Sequence, residues 1–299
     1  MVTKSPSSTV SSVFFDNGIA IMLEASFFWA VSDSLTKYLV NSFTMGEIAF
    51  VRFCFGAVMM FPSLVRQRLA IRRKDFFLLL LRGLSGAGAF YFTLLGFQSG
   101  ALSVTMVLFY TCPLWALFMG ALFLEEHLTG ERILCVVMAM IGIALLINPW
   151  GEGIALSHLY GLSAGIMGGV NSVMTRHLRM RHSSQVIYAF QSFVGTLVSI
   201  PLITGRIRIP ELVDGTILFI SAVFGLLGQV ATNHGFRFIK AAEGATIVMT
   251  EAILTTLVGI ILFHEPFTFT FVVGSMMILG SGIYLGLRAG NDTIGIDRE

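Results

Sequence analysis

The segment GFQSGALSVTMVLFYTCPLWALFMGALFLEE, residues 96–126, returns in altered form as GFRFIKAAEGATIVMTEAILTTLVGIILFHE, residues 235–265. Gly96 falls on Gly235 and Glu126 on Glu265. At the same fixed offset, without gaps, Thr36 falls on Thr175, Gly56 on Gly195, Pro62 on Pro201, Gly86 on Gly225 and Thr93 on Thr232. Any two apolar segments share some identities by composition. Gly, Pro and Glu recurring at matched places identify an internal repeat.

What repeats is set by the surrounding composition. The chain has 299 residues, of which 55% are hydrophobic and 12% charged. A soluble domain carries about twice that charged fraction, so the surplus apolar surface must face lipid. A spanning helix needs about 20 mostly apolar residues. Ten stretches qualify: 18–39, 45–65, 76–97, 101–123, 131–149, 157–177, 184–204, 214–236, 241–263 and 268–288. Residues 1–17 form a Ser-rich polar tail, and no small-residue cleavage pattern follows the first apolar run. That run therefore reads as a retained helix rather than a signal peptide. Residues 289–299 form a second tail.

The connections are short, and no soluble domain is inserted between spans. A net charge of +2 gives no reason to expect nucleic acid as a partner. Cys54, Cys112 and Cys135 lie in apolar segments without metal-ligand spacing, so neither a metal nor another cofactor is expected.

Lysine and arginine set the orientation. Fourteen of them fall on one set of loops and tails, including Arg66, Arg68, Arg72, Arg73 and Lys74. Only Lys37, Arg206 and Arg208 fall on the other, and Arg52 and Arg82 lie within spans. The richer side is read as cytoplasmic, which places both termini inside. The repeats are residues 18–149 and 157–288, with five spans each. Five is odd, so the second copy enters the membrane from the opposite side. The expected fold is an all-α integral membrane protein of ten transmembrane helices in two inverted five-helix repeats. Secondary transporters commonly have this organisation, with the solute site near the midplane between the halves.

Several polar residues fall inside spans, where a charge costs ~2.5–3.5 kcal/mol on insertion scales. In the first span, Trp29, Asp33 and Lys37 share a stripe at i, i+4 and i+8, so Asp33 and Lys37 are expected to pair. Lys37, in the last turn, reads as scaffold. Glu24 points to the opposite face from Asp33 and has no basic partner within a turn. Glu251, deep in the ninth span, has the same problem, and burial makes a proton-exchanging carboxyl plausible for both.

Gln229 and Asn233 share a face of the eighth span, and Asn171 adds an amide in the sixth. Tyr91, Tyr110, Thr111 and Trp115 add aromatic and hydroxyl groups in the third and fourth. This mixture suits an amphipathic organic solute. Each of these residues has a competing structural reading as packing or lipid contact. Gly161, Gly165 and Gly169 read as a close-packing stripe. Glu126 and Glu265 end the fourth and ninth spans and read as boundary or gate residues.

The whole chain resembles the drug/metabolite transporter superfamily, specifically ten-span bacterial members built from two EamA units. The resemblance rests on Trp29 with Lys37 eight residues later, Arg52-Phe53, YTCPLWALFMGALFLEE (110–126) and TEAILTTLVGIILFHE (250–265). It implies a bacterial inner-membrane protein that exports or exchanges small organic metabolites, often amino acids or related compounds. It also implies a cavity between the first, third, fourth, sixth, eighth and ninth spans. Two positions depart from the family pattern. Glu251-Ala252 stands where many members have Glu-Pro, which predicts a weaker helix break there, and Asp33 occupies a usually apolar position.

The expectation is a monomeric secondary transporter in the lipid bilayer, working by alternating access, with protons as a possible co-substrate. The alternatives are an obligate exchanger or importer and, behind these, a channel or a membrane-embedded enzyme. The sequence holds no HExxH, GxSxG or paired-Asp motif for the last of these.

Overall fold

A computed structural model describes residues 6–66, 73–124, 130–147, 154–203, 211–239, 241–265 and 268–296. Glu126, Arg68, Arg72, Arg206 and Arg208, all named above, lie outside the described residues. Every regular element among the described residues is helical. The α-helices are α1 (Pro6–Leu39), α2 (Met45–Arg66), α3 (Arg73–Ser99), α4 (Leu102–Phe109), α5 (Cys112–Leu124) and α6 (Gly130–Ile147). They continue as α7 (Leu156–Arg179), α8 (Ser184–Ser199), α9 (Leu212–Gly235), α10 (Ala241–Val248), α11 (Thr250–Phe263) and α12 (Phe269–Ile296).

One pair of helix starts is described on both sides, and it corresponds between the halves: α2 begins at Met45 and α8 at its counterpart Ser184. The local reasons repeat as well. Thr44 starts α2 with a reciprocal capping box: its N–H and hydroxyl donate to Glu47 Oε2, both at 2.9 Å. Its counterpart Ser183 caps α8 by accepting from Val186 N–H at 3.4 Å.

The fourth span is broken between α4 and α5 at Tyr110 and Thr111. Pro113 supplies the cause, because it has no N–H for the carbonyl four residues back. The counterpart of Pro113 is Ala252, and there the interruption shrinks to Met249 alone, between α10 and α11. The weaker break expected from Glu251-Ala252 is what the helices show.

Packing follows the same register. α1 runs along α9 as α7 runs along α3, while α2 crosses α8 and α6 lies against α12. At the α2–α8 crossing, a Cβ on Gly56 would meet Ser192 Oγ at 2.6 Å, and one on Gly195 would meet the Phe53 ring at 2.5 Å. The stripe on α7 faces the α4–α5 backbone: a Cβ on Gly165 would lie 2.8 Å from Leu108 O, and one on Gly169 2.9 Å from Cys112 O. Close helix approach is the use of that stripe.

Large apolar side chains cover the outside, among them Phe27, Phe61, Phe77, Leu197, Phe219 and Leu262. The interior holds Arg52, Arg82, Gln191, Gln229, Asn233 and Glu251. This reversal suits a lipid solvent. Among the described residues, six helices are long and apolar enough to cross a membrane, as expected of a multi-pass membrane protein. α7 does not meet that measure. Its serines, its glycines and Asn171 lower its mean hydropathy, and Gly161, Gly165, Gly168, Gly169 and Ser172 among them are buried.

Two polar ties use the same pair of positions in both halves. Lys37 Nζ donates to Phe97 O at 2.7 Å and to Gly100 O at 2.5 Å. Its counterpart Arg176 donates through NH1 to Phe236 O at 2.7 Å and Arg237 O at 3.1 Å. Each cation thus satisfies carbonyls left free at the end of a helix, α3 or α9. The expected Asp33–Lys37 pair does not form. Lys37 is occupied by the end of α3, and Asp33 turns to Arg52.

Candidate functional site

The central cavity has a volume of about 110 Å³. One water needs ~10–15 Å³ on this scale, so the cavity has room for a compact solute. Its wall is built from counterpart positions. Trp29 and Gly168, Asp33 and Ser172, Arg52 and Gln191, and Cys112 and Glu251 all line it. Each pair occupies one position of the repeat, once in each half. The positions match and the chemistry does not.

On one side, Asp33 Oδ1 lies 3.8 Å from Arg52 NH1, which also donates to Ser32 Oγ at 3.0 Å. The Arg52 guanidinium sits 4.3 Å from the Phe90 ring centroid and 5.0 Å from that of Trp29, within cation–π range. Trp29 is itself held by its Nε1–H, which donates to Thr232 Oγ1 at 3.0 Å. Arg52 NH2 is buried and has no hydrogen-bond partner.

On the other side, the Tyr110 hydroxyl donates to Glu251 Oε2. Glu251 Oε1 and Asn171 Oδ1 are buried without donors. Each such atom costs about 1–3 kcal/mol if nothing meets it. One free donor and two free acceptors therefore belong to residues lining the same cavity. These groups are left to hydrogen-bond with whatever occupies the cavity, water or solute.

A second buried arginine provides the contrast. Arg82 is fully enclosed and donates to Thr175 Oγ1 at 3.0 Å, to Asn233 Oδ1 at 2.8 Å and to Gln191 Oε1. Gln229 Nε2 adds a 3.1 Å bond to the same Asn233 oxygen. Arg82 is saturated by neutral acceptors and ties α3 to α7, α8 and α9.

Of the residues singled out from sequence, Trp29, Asp33, Tyr110, Asn171, Gln229, Asn233 and Glu251 line the cavity. Four others do not. Glu24 is exposed on the outer face of α1. Tyr91 is buried and donates to Gly195 O at 3.0 Å, joining α3 to α8. Trp115 Nε1–H donates to Thr111 Oγ1 at 3.0 Å, and that hydroxyl donates to Leu108 O at 2.8 Å. Thr111 and Trp115 thus staple the α4–α5 break. Glu265 is a boundary residue with a defined task. Its carboxylate accepts from Leu102 N–H and from Ser103 N–H at 3.0 Å, capping α4.

Sequence reasoning missed Arg52, Tyr188 and Gln191, all on the wall. The signal for Arg52 was present, since a cation at mid-span falls under the same rule that selected the acids.

The pseudopaline exporter CntI of Pseudomonas aeruginosa is 26% identical over 247 residues, covering 82% of this chain and 84% of that one. The S-adenosylmethionine uptake transporter of Rickettsia prowazekii is 21% identical over 270 residues, covering 90% and 92%. One solved crystal structure superposes with a TM-score of 0.66 at 14% identity, over 92% of this chain and 98% of that one. It speaks for the fold alone. The model of the EamA-like transporter family matches twice, over residues 16–148 and 155–287. The chain belongs to the EamA-like transporter family.

Proposed function

We propose that this protein is a secondary transporter of a small amphipathic metabolite, an amino acid or related compound, working by alternating access. The observation that carries the reading is the cavity wall, where Arg52 NH2, Asn171 Oδ1 and Glu251 Oε1 are buried without partners. A solute with a carboxylate for Arg52 and a donor or cation for Glu251 would satisfy them together. Trp29 and Phe90 would cover its apolar part.

The architecture behind this reading is ten transmembrane helices in two inverted five-helix repeats, 18–149 and 157–288. The matched starts of α2 and α8 and the shared Lys37 and Arg176 ties support it. Two related units that rock about the cavity would expose it to each side in turn. The expected setting is a bacterial inner membrane, with both termini cytoplasmic and a monomer as the working unit.

Export is the first reading of direction, in line with the pseudopaline exporter among the relatives. Uptake or obligate exchange is the second, favoured by relatives named for S-adenosylmethionine uptake. A thermal-shift screen of purified protein against amino acids, nucleosides and organic cations tests the solute class. Stabilisation by amphoteric compounds alone is expected, and stabilisation by none of them would remove the reading. Counterflow in proteoliposomes then separates the directions, because an obligate exchanger shows no net flux without solute on the far side.

A further inference from the structure

The two carboxyl groups of the cavity come from different repeats. Asp33 stands on α1 and Glu251 on α11, and their counterparts, Ser172 and Cys112, carry no carboxyl. Asp33 is 6% exposed and Glu251 2%, and their carboxyls are within hydrogen-bonding reach of each other. Two ionised carboxylates have no proton to place between them, and Glu251 Oε1 is then left without a donor. We infer that Asp33 and Glu251 share one proton, held across the seam between the two repeats.

The groups facing the pair support a single proton. Arg52, from α2, is the one cation beside it among the described residues. One guanidinium balances one carboxylate and leaves the other to be neutralised. Tyr110, from the α4–α5 break, donates to Glu251 Oε2 and so leaves Oε1 for the shared proton. Cys112 on α5 and Tyr188 on α8 are the other titratable groups nearby, both neutral at physiological pH in their ordinary state. The wall residues of α3, α7 and α9 do not titrate; the cation of α3, Arg82, is committed to Thr175, Gln191 and Asn233. Like charges at contact in a water-poor site cannot both persist, which is the logic of paired carboxyls elsewhere.

The location gives the proton a use. Helix shifts of ~1–2 Å at an interface accompany many conformational changes. A shift of that size between α1 and α11 would part the carboxyls and remove the reason for sharing. Proton affinity would then differ between the inward-open and outward-open states, as coupling to a proton gradient requires. A cationic group on the solute could take the proton's place. This use rests on the transporter reading; the proton itself can be measured in protein given no solute.

Infrared spectroscopy of the full-length protein in lipid tests the site, by the C=O absorption of a protonated buried carboxyl and its shift in D2O. At neutral pH the protein should show this band, and raising the pH should remove it in one single-proton step. Asp33→Asn and Glu251→Gln should each abolish it, because the remaining carboxyl then pairs with Arg52. Absence of the band from the unsubstituted protein, or its persistence in either variant, would overturn the inference. Should one variant fail to insert, the other and the wild-type titration still decide.

Discussion

The Arg52 guanidinium lies against Gly225, so near that a Cβ there would come within 2.5 Å of Arg52 Cζ. The counterpart contact exists too: Gln191 lies on Gly86, where a Cβ would be 2.8 Å from Gln191 Cδ. In each half a planar polar head from one repeat needs a glycine on the other.

Gly225→Ala should therefore displace Arg52 from its contacts with Trp29 and Phe90. A side-chain tip can normally yield to a new methyl group, but this one is buried and also packed against the Trp29 and Phe90 rings. Transport should fall about tenfold, equivalent to ~1.4 kcal/mol, with membrane expression preserved. Gly88→Ala is the control, since its nearest neighbour would be Met167 Sδ at 3.7 Å. Initial uptake rates in proteoliposomes read the difference; equal rates would mean Arg52 has no part in the site.

Glu24 and Glu251 should separate completely. Glu24→Gln alters an exposed residue and should leave flux within error of the unsubstituted protein. Glu251→Gln keeps an acceptor for the Tyr110 hydroxyl but removes the carboxyl that faces Asp33, and should cut flux at least about tenfold. A transport assay on matched expression levels checks both.

Lys37→Ala and Arg176→Ala should act on stability rather than on solute affinity. Each leaves helix-end carbonyls without a donor, at a cost of about 1–3 kcal/mol. Both variants should melt lower in detergent, by roughly 2–4 °C per kcal/mol, with unchanged affinity for any stabilising solute. A large loss of affinity in either would place it in the site instead.

Glu265→Ala should loosen the start of α4. His264, at φ 52°, takes a left-handed conformation that turns the chain back at the end of α11. Glu265 thereby reaches the free N–H groups of Leu102 and Ser103. Losing a cap costs about 0.5–2 kcal/mol, and amide hydrogen exchange at residues 102–105 should quicken. Glu265→Gln, which keeps an acceptor oxygen, should show a smaller change.

The helical, apolar-surfaced character of the fold was legible because lipid demands it. Glycines, prolines and apolar lengths recorded the register, and Pro113 against Ala252 recorded which helix break is the stronger. Seven cavity residues were also legible, since a polar side chain in a span must find an interior partner or a wet space. The four that lie off the cavity, Glu24, Tyr91, Thr111 and Trp115, share one reason. Helical spacing tells which residues lie on a common face, and it does not tell which neighbour that face meets.

From sequence alone came the helical membrane architecture, the register that sets Gly96 on Gly235, and the short list of polar groups that hydrocarbon makes costly. Partners were decided only in three dimensions. Asp33 took Arg52 from α2 rather than Lys37 one turn away, because the end of α3 offered Lys37 two unpaired carbonyls. Arg82 became a saturated strut and Arg52 an unsaturated one, although both are single arginines within spans. Which buried charge is spent on the scaffold and which stays open to a ligand depends on the acceptors that other helices bring within about 3 Å, and those lie far away along the chain.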